Sequence, residues 1–261
     1  MGTPSSASAA LGGRLRTGRV FGSMMGARSL RLSIIAARLL HEHACDRFVK
    51  IARQIAAVLP CLIVPAIVVA DALPLLRPAS LDGWAMRSFD GETSDQSVVL
   101  DGVHALRAQA DRSASALYWE GQVALSLWPS LRWRCRIQAA MSGTRERTRT
   151  GDDLAARISV VARDSLLFWK SHALCYVWAS AAKAGQDWPN PYSDEVHMVA
   201  LNGIGDATGD WVEHERDVAA DFQRYFGVVP KEIDAVGVMT NLDQSGIWAI
   251  AWYADLRFEK N

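Results

Sequence analysis

The sequence has no excess charge of either sign, and the common enzyme signatures are missing from it. Its 261 residues hold 28 Lys and Arg against 28 Asp and Glu. It contains no Gly-x-Ser-x-Gly elbow, no His-Glu-x-x-His helix and no phosphate-cradling Gly/Lys loop. The histidines after residue 70 stand singly. These absences exclude the usual templates of serine hydrolases, zinc proteases and phosphate-binding enzymes.

The balanced charge conceals two segments of opposite sign. Residues 1–70 carry a net charge of +7, so the remainder carries −7. A mildly acidic body with interspersed arginines gives no reason to expect a nucleic-acid partner. The length suits one domain of ordinary size with an appendage.

No apolar run reaches the roughly 20 residues that a membrane span needs. The longest is 54–70, which follows the basic segment and ends before Asp71 and Ala72. This order predicts a signal peptide cleaved after Ala70 or Ala72, and hence a periplasmic or extracellular protein. The alternatives are an uncleaved membrane anchor through 54–70, a leader lengthened by a start before Met24 or Met25, and a buried core helix.

Cysteine is scarce, and only two of the four would remain after cleavage. Cys45 and Cys61 lie in the leader, whereas Cys135 and Cys175 lie in apolar strand-like segments. In an exported protein the latter two could pair. Free Cys in such a segment usually behaves as a small buried hydrophobe, which is the interpretation that we favour.

What the chain has in abundance is strand-like alternation between 131 and 258. Leu131, Trp133, Cys135 and Ile137 share one face of a predicted strand, and three arginines share the other. In the last strand, the same rule assigns the following residues to a core face: Trp248, Ile250, Trp252, Ala254, Leu256 and Phe258. It assigns the following to the opposite face: Tyr253, Asp255 and Arg257.

Nine short strands are predicted, separated by polar or Gly/Pro-containing loops. Asp101 and Gly102 form the strongest hairpin signal. The predicted strands are 97–100, 103–110, 115–120, 131–138, 156–162, 173–180, 196–201, 232–240 and 247–258. This series predicts a mainly β fold, an antiparallel two-sheet jelly-roll-like sandwich, over 97–261. Residues 1–72 form the leader, and 73–96 a linker with entry to the first strand.

One short helix interrupts the strands at about 217–226. Asp217 is its predicted N-cap and Gly227 its stop, with Val218, Phe222 and Phe226 spaced by four. Asp221 lies in the first turn, where a carboxylate complements the helix dipole. The segment 164–172 fits either a second short helix or a long loop.

From about Val103 to Phe258 the chain resembles the bacterial family catalogued as domain of unknown function 3047. The resemblance rests on ordered matches that include Trp133-Arg134, Thr150-Gly151-Asp152-Asp153, Tyr176-Val177-Trp178, Asn190-Pro191-Tyr192, Val238-Met239-Thr240 and Trp252-Tyr253 with Asp255. It implies an exported protein with one jelly-roll-like domain similar to galactose-binding and carbohydrate-binding modules. The sequence departs from the family at Asn241-Leu242-Asp243, where a second acidic residue is common.

The acidic turn Asp152-Asp153 is one candidate site. Together with Asp243 its carboxylates are candidate ligands of a structural Ca²⁺, which takes six to eight oxygen ligands. The competing interpretation is structural, with the carboxylates paired to Arg134 or Arg157. Adjacent residues of an extended segment point to opposite faces, which argues against a shared metal site.

The arginine-bearing face is the other candidate. Guanidinium groups with aromatic platforms suit sugars or anionic polysaccharides, whereas the alternative is a solvated outer face with Asp255 as an internal ion-pair partner. The candidate ligand-binding residues are Arg134, Asp152, Asp153, Arg157, Trp178, Asn190, Tyr253 and Asp255. Trp133, Trp248 and Trp252 are predicted to be core, and Trp188 is either an exposed platform or a folded-back lid.

The functional prediction is non-catalytic binding of carbohydrate or another envelope component. A hydrolase or lyase is the first alternative, because carboxylates can pair in three dimensions among Asp152, Asp153, Glu213, Asp217, Asp243 and Asp255. A structural or protein-interaction domain is the second, and it predicts a flat apolar patch.

Overall fold

A computed structural model describes residues 71–77, 80–141, 143–163, 171–245 and 248–260. Residues 1–70 of the predicted leader, including 54–70, lie outside the described residues. So do 164–170 of the ambiguous segment 164–172, whose last two residues begin a strand. Within the described part of the chain, no helix is long and apolar enough to cross a membrane.

Thirteen strands, one α-helix and a single 3-10 turn make up the described structure. The strands are β1 Ala72–Pro74, β2 Trp84–Asp90, β3 Ser94–Leu100, β4 Val103–Asp111, β5 Ala114–Ala124, β6 Ser130–Ile137, β7 Leu154–Arg163, β8 Ser171–Trp178, β9 Asp187–Asn190, β10 Ser193–Asn202, β11 Val212–Asp217, β12 Glu232–Asn241 and β13 Trp248–Glu259. The helix α1 spans Val218–Phe226 and the 3-10 turn Arg149–Gly151.

The strands form two sheets that pack face to face. Sheet I has the order β11-β6-β13-β4-β3, with β1 paired to the end of β13. Sheet II has the order β2-β5-β12-β7-β8-β10-β9, and β8 and β10 are its parallel pair. One apolar core draws on both sheets, including Leu131 and Phe258 from sheet I and Ile158 and Val238 from sheet II. The predicted two-sheet sandwich with one short helix is therefore confirmed.

Strand β6 follows the predicted alternation along its length. The side chains of Leu131, Trp133, Cys135 and Ile137 are buried, whereas the arginines between them are half-buried on the outer face. The Asp101-Gly102 turn is also confirmed as a tight hairpin between β3 and β4, with φ values of 52° and 76°. Both central residues with positive φ are typical of a type I′ turn.

Strand β13 departs from the prediction because a bulge interrupts it. Asp255 has a φ of 55°, and the pairing with β6 shifts register between Ala254 and Arg257. The extra residue moves the inward face from Tyr253 before the bulge to Leu256 after it, since one residue inverts a period of two. Predicting Tyr253 on the arginine face was therefore wrong, and so was predicting a core position for Trp248 and Trp252. Tyr253 is 1% exposed and Trp248 55%.

The predicted linker over 73–96 is wrong, because this segment is part of the sandwich. It forms β1, β2 and the start of β3. Leu75 and Leu76 are buried in the core, and both backbone amides donate to the carbonyl of Leu256. Short strands with few alternating apolar residues give a weak periodic signal, which also explains why β9 and β11 escaped prediction.

Helix α1 is capped as predicted and is held by a buried polar network. The Asp217 side chain accepts from the backbone amide of Ala220, and Gly227 ends the helix with a φ of 72°. Asp221 is buried and accepts from the Tyr176 hydroxyl at 2.8 Å and from Arg216 Nε at 2.8 Å. This network ties the helix to β8 of sheet II and to β11 of sheet I.

Both described cysteines are buried free thiols, as favoured from the sequence. Cys135 lies in β6 and Cys175 in β8, on different sheets. Burial raises the pKa of the Cys135 thiol to about 12, so this side chain stays protonated and apolar in character.

Two ionisable groups of opposite type lie on inward faces. Asp95 of β3 lies opposite the buried Ala108, and desolvation by burial raises its pKa to about 7. His214 of β11 lies with its ring centroid 5.2 Å from that of Trp133, and burial lowers its pKa to about 4. Their effects on stability have opposite signs. As pH rises from about 4 to 7 the folded state loses stability through Asp95, and between about 4 and 6.5 it gains stability through His214.

We expect Asp95→Asn to stabilise the protein at pH 8 by about 1–2 kcal/mol, a value discounted for the partial exposure of this side chain. At pH 4 most of the gain should disappear, because the folded chain holds the proton and the unfolded carboxyl, whose ordinary pKa is 3.8, is only about half ionised. Urea unfolding between pH 4 and 8 measures the difference, with Asp82→Asn on an exposed turn as control. Equal stabilisation at pH 4 and pH 8 would contradict a raised pKa of Asp95 in the folded protein.

Candidate functional site

A groove of about 440 Å³ lies on the face of sheet II that is turned away from the core. In β7 its lining residues Arg157, Ser159 and Val161 alternate with Ile158 and Val160 of the core. Neighbouring strands add their own outward side chains. The other lining residues are Phe89, Ala114, Tyr118, Asp152, Ala173, Cys175, Asn190, Tyr192, Val196, Met239, Asn241, Asp243 and Gln244.

A glycine in the floor of the groove leaves room for an aromatic ring. Tyr118 of β5 lies directly across from Gly237 of β12, and a Cβ at Gly237 would come within 2.6 Å of the Tyr118 ring. The glycine therefore lets the aromatic ring lie against the sheet instead of standing on it. Arg87 of β2 packs over the same ring, with its guanidinium carbon 5.5 Å from the centroid.

Asp152 organises the polar end of the groove. Its carboxylate accepts from Arg157 Nη2 at 3.1 Å and from Asn190 Nδ2 at 3.4 Å, and its backbone carbonyl accepts from Asn241 Nδ2 at 2.5 Å. All four side chains are at least nine-tenths buried. One residue thus fixes groups from β7, β9 and β12 in a single arrangement.

The Asp152–Arg157 pair is buried, yet Arg157 stays charged. Burial opposes the guanidinium charge, but the adjacent Asp152 carboxylate outweighs it and the pKa of Arg157 is raised. Two polar atoms of this network have no hydrogen-bond partner among the described residues, Nε of Arg157 and Oδ1 of Asn241. One is a donor and the other an acceptor.

Exposed aromatic rings border the groove on two sides. Phe89 at the end of β2 is 60% exposed, and Tyr192 in the turn between β9 and β10 is 52% exposed. Tyr192 is held in place, because its backbone amide donates to Asn190 Oδ1 and its hydroxyl donates to the carbonyl of Arg149. Large exposed rings beside a groove are characteristic of ligand-binding surfaces.

The predicted ligand-binding residues separate into three places. Asp152, Arg157 and Asn190 meet in the groove, and Asp243 lines it as well. Arg134 and Asp255 lie together on the outer face of sheet I. Tyr253 and Trp178 are buried in the core between the sheets, where the Tyr253 hydroxyl donates to the carbonyl of Met239.

The arginine-bearing face of sheet I neutralises its own charge. The carboxylate partners are Glu215 and Glu259 for Arg132, Asp255 for Arg134 and Asp101 for Arg136. The last two arginines also stack on aromatic rings, Arg134 on Trp211 and Arg136 on Trp252. Asp255 is thus the predicted internal partner, and the arginines already have the anions that an external ligand would supply.

The three carboxylates suggested for Ca²⁺ have separate partners. Asp152 pairs with Arg157, Asp153 accepts from the backbone amides of Gln244 and Ser245, and Asp243 accepts from the Gln244 side chain. Asp152 and Asp153 diverge, as expected for adjacent extended residues. In the described ranges, no three His, Cys, Asp or Glu side chains group as metal ligands. Calcium binding stays a prediction.

Sequence reasoning missed several residues of the site. Phe89 lies in the predicted linker, and Tyr118 and Ser159 gave no signal beyond their strand positions. The sequence marks Asn241 only as a departure from an acidic pattern. Trp188, for which the sequence allows an exposed platform or a folded-back lid, is 4% exposed and packs against β8 and β10, so it is not an exposed platform.

Glu146, which the sequence also does not indicate, ties the loop before the acidic turn to residues 180–182. Its carboxylate is buried and accepts from the backbone amides of Ser180, Ala181 and Ala182 and from the Ser180 hydroxyl, at 2.6–3.2 Å. Charge-assisted bonds of this kind are strong. Gly151, which leads into the acidic turn, packs so closely on Arg145 that a Cβ there would approach its backbone to 2.7 Å.

Comparison with known proteins gives a family and a fold likeness. The family described as Protein of unknown function (DUF3047) matches residues 82–257. No curated protein matches the sequence. The chain is similar in structure to a family 30 carbohydrate-binding module of a Clostridium thermocellum cellulosomal cellulase, with 10% identity, a TM-score of 0.40 and coverage of 69% of this chain and 92% of that one.

Two further solved structures show a likeness of the same order. Endoglucanase Cel12A of Rhodothermus marinus is 12% identical, with a TM-score of 0.41 and coverage of 68% of this chain and 96% of that one. The xyloglucanase domain of NopAA from Sinorhizobium fredii, solved with cellobiose, is 8% identical, with a TM-score of 0.40 and coverage of 74% and 97%. Similarity at this level bears on neither ligand nor activity.

We expect Asp152→Ala to lower the free energy of unfolding by about 3–5 kcal/mol, because it leaves the buried Arg157 charge without its partner. Asp243→Ala, a more exposed carboxylate lining the same groove, should change it by less than about 0.5 kcal/mol. Urea unfolding monitored by circular dichroism compares the two variants. Equal effects would show that the ion pair does not hold the polar end together.

Proposed function

The chain belongs to the family Protein of unknown function (DUF3047), and we propose that its groove binds carbohydrate without catalysing a reaction. The observation that carries the proposal is a row of buried amide, guanidinium and hydroxyl groups between two exposed aromatic rings. Sugars present hydroxyls at their edges and apolar C–H faces, so they need both kinds of partner. A few placed polar groups within a largely apolar lining is the usual composition of a ligand site.

The size and position of the groove support this proposal. A volume of about 440 Å³ lies within the range of small-molecule sites. The groove lies on sheet strands. Tyr118 lies across from Gly237 of the neighbouring strand, and Arg157 and Asn241 are fixed by their bonds to Asp152. Rigid elements lose little conformational entropy when a ligand binds.

The carboxylates of the groove favour binding over hydrolysis. A glycosidase needs two carboxyl groups that flank the scissile bond, one of them free to donate a proton. Asp152 is held by Arg157 and Asn190 and is buried. Asp243, the other acidic residue of the lining, accepts from Gln244.

We expect the double variant Phe89→Ala, Tyr192→Ala to weaken polysaccharide binding at least tenfold, which corresponds to about 1.4 kcal/mol. Trp248→Ala is the matched control, because it removes an equally exposed ring from the other sheet. Affinity electrophoresis of the full-length chain in gels with soluble polysaccharides measures the effect. Binding lost in the Trp248 variant instead would move the site to sheet I. No binding to any glycan would favour a protein-interaction domain.

We also propose that the protein is exported and cleaved after Ala70. The fold supports this choice over cleavage after Ala72. The carbonyl of Asp71 accepts from the amide of Lys260, and Ala72 pairs with Glu259 as the first residue of β1. Cleavage after Ala72 would remove both contacts, whereas cleavage after Ala70 leaves β1 complete.

The mature protein recovered from the periplasm or medium should therefore begin at Asp71. N-terminal sequencing or intact mass measurement of secreted material reads this directly. Ala70→Phe should block processing, because the cleavage site needs a small residue at that position, and Ala85→Phe in β2 serves as a substitution of the same type elsewhere. A mature chain that begins at Leu73, or one that retains residues before 70, would contradict the proposal.

A further inference from the structure

We infer that the groove selects an uncharged sugar chain and discriminates against acidic polysaccharides. The inference rests on the proposed function and names its ligand class. The arginines of the sequence suit sugars or anionic polysaccharides, and the groove favours the first of these two classes. Three observations support it: the charges that line the groove, the amide groups at its polar end and the composition of its floor.

The charged lining offers an anion no surplus of positive charge. In the described part of the chain, the lining contains one cation, Arg157, and two anions, Asp152 and Asp243. Arg157 is already paired with Asp152 at 3.1 Å in a buried environment. At the border, Arg87 lies 3.5 Å from Glu120, and Arg149 packs on the Tyr192 ring. A uronic acid placed beside Arg157 would face the carboxylates of Asp152 and Asp243, and like charges at close range repel strongly where water is excluded.

The polar end of the groove presents amides and a paired cation to a ligand. Asn190 and Asn241 line it beside Arg157, whose charge is paired with Asp152. Asn241 is fixed in its orientation because its Nδ2 donates to the carbonyl of Asp152. Amide groups form hydrogen bonds with sugar hydroxyls, and they supply no charge for a carboxylate.

The remainder of the groove is built for C–H surfaces. Ala114, Val161, Ala173, Val196 and Met239 line it without a charge. Tyr118 lies flat over Gly237 within this part of the floor. Apolar and small side chains of this kind accommodate the ring faces of a neutral sugar, and they provide no counter-charge for a polyanion.

The experiment compares neutral with acidic polysaccharides on the full-length chain. Titration calorimetry with soluble glucan, xylan and galactomannan is set against polygalacturonate and alginate at 50 and 500 mM NaCl. We expect neutral chains to bind at least tenfold more tightly. Their dissociation constants should change less than twofold with salt, since no ion pair forms with the ligand.

Variants then test the residues responsible. Arg157→Lys keeps a positive charge beside Asp152 but removes the planar guanidinium that lines the groove, and it should weaken neutral binding at least tenfold. Asp243→Asn removes a surface carboxylate. It should reduce the ratio of the dissociation constants for acidic and neutral polysaccharides threefold or more, a change that a merely structural role would not produce. Arg134→Ala, on the other sheet, is the control and should leave both affinities unchanged. Should Arg157→Lys fail to fold, the salt series and Asp243→Asn still decide.

Each outcome has a distinct meaning. Preference for acidic chains, with affinity falling as salt rises, would overturn the inference of an uncharged ligand while leaving carbohydrate binding in place. Loss of binding in Arg134→Ala but not in Arg157→Lys would overturn the groove as the site. Failure to bind any polysaccharide would overturn the proposed function and the inference together.

Discussion

The buried contact between Asp152 and Arg157 is the interaction on which the polar end of the groove depends. Arg157 projects from the middle of sheet II, where an unpaired guanidinium would be strongly unfavourable. Asp152 comes from the turn before β7, so the pair fixes that turn against its own strand. The same residue then orients Asn190 and Asn241. Tyr192 follows, because its amide is bonded to Asn190. A single residue, through its carboxylate and its backbone carbonyl, thereby determines the positions of groups on three strands and at one rim of the groove.

The two sheets use charge in different ways. Sheet I carries its arginines on a half-exposed outer face. Each of them forms an ion pair with a carboxylate from an adjacent strand or turn, and Arg136 also stacks on an indole ring. The groove of sheet II buries one arginine with one aspartate, and apart from Asp243 the rest of its lining is uncharged. Abundant arginine in the sequence therefore marks the face that needs no ligand. The groove lies on sheet II, whose strands have no comparable cluster of charged residues in the sequence.

The sequence predicts those features that depend on neighbouring residues. Strand β6, the Asp101-Gly102 turn and the cap and stop of α1 are local patterns, and each is confirmed. The inversion in β13 was not predictable from alternation, because the bulge at Asp255 is fixed by pairing with β6. The groove depends on which strands become neighbours: Tyr118 meets Gly237, and Asp152 meets Asn241, across 119 and 89 residues of chain. The sequence places Arg157 on one face with Tyr253 and Asp255, whereas in the structure it lines the groove with Asp152 and Asn190.

Asp95 has a consequence for how this molecule meets copies of itself. It lies on β3, the last strand of sheet I in the described part of the chain, whose outer edge carries unpaired backbone groups. An inward-facing carboxylate on such an edge hinders another strand from adding to the sheet, because a new neighbour would bury the charge. The carboxylate loses this charge as pH falls below about 7. Protonation of Asp95 therefore stabilises the individual fold and also removes the charge that protects its edge, so the pH at which this residue best stabilises one molecule is not the pH at which it best keeps molecules apart.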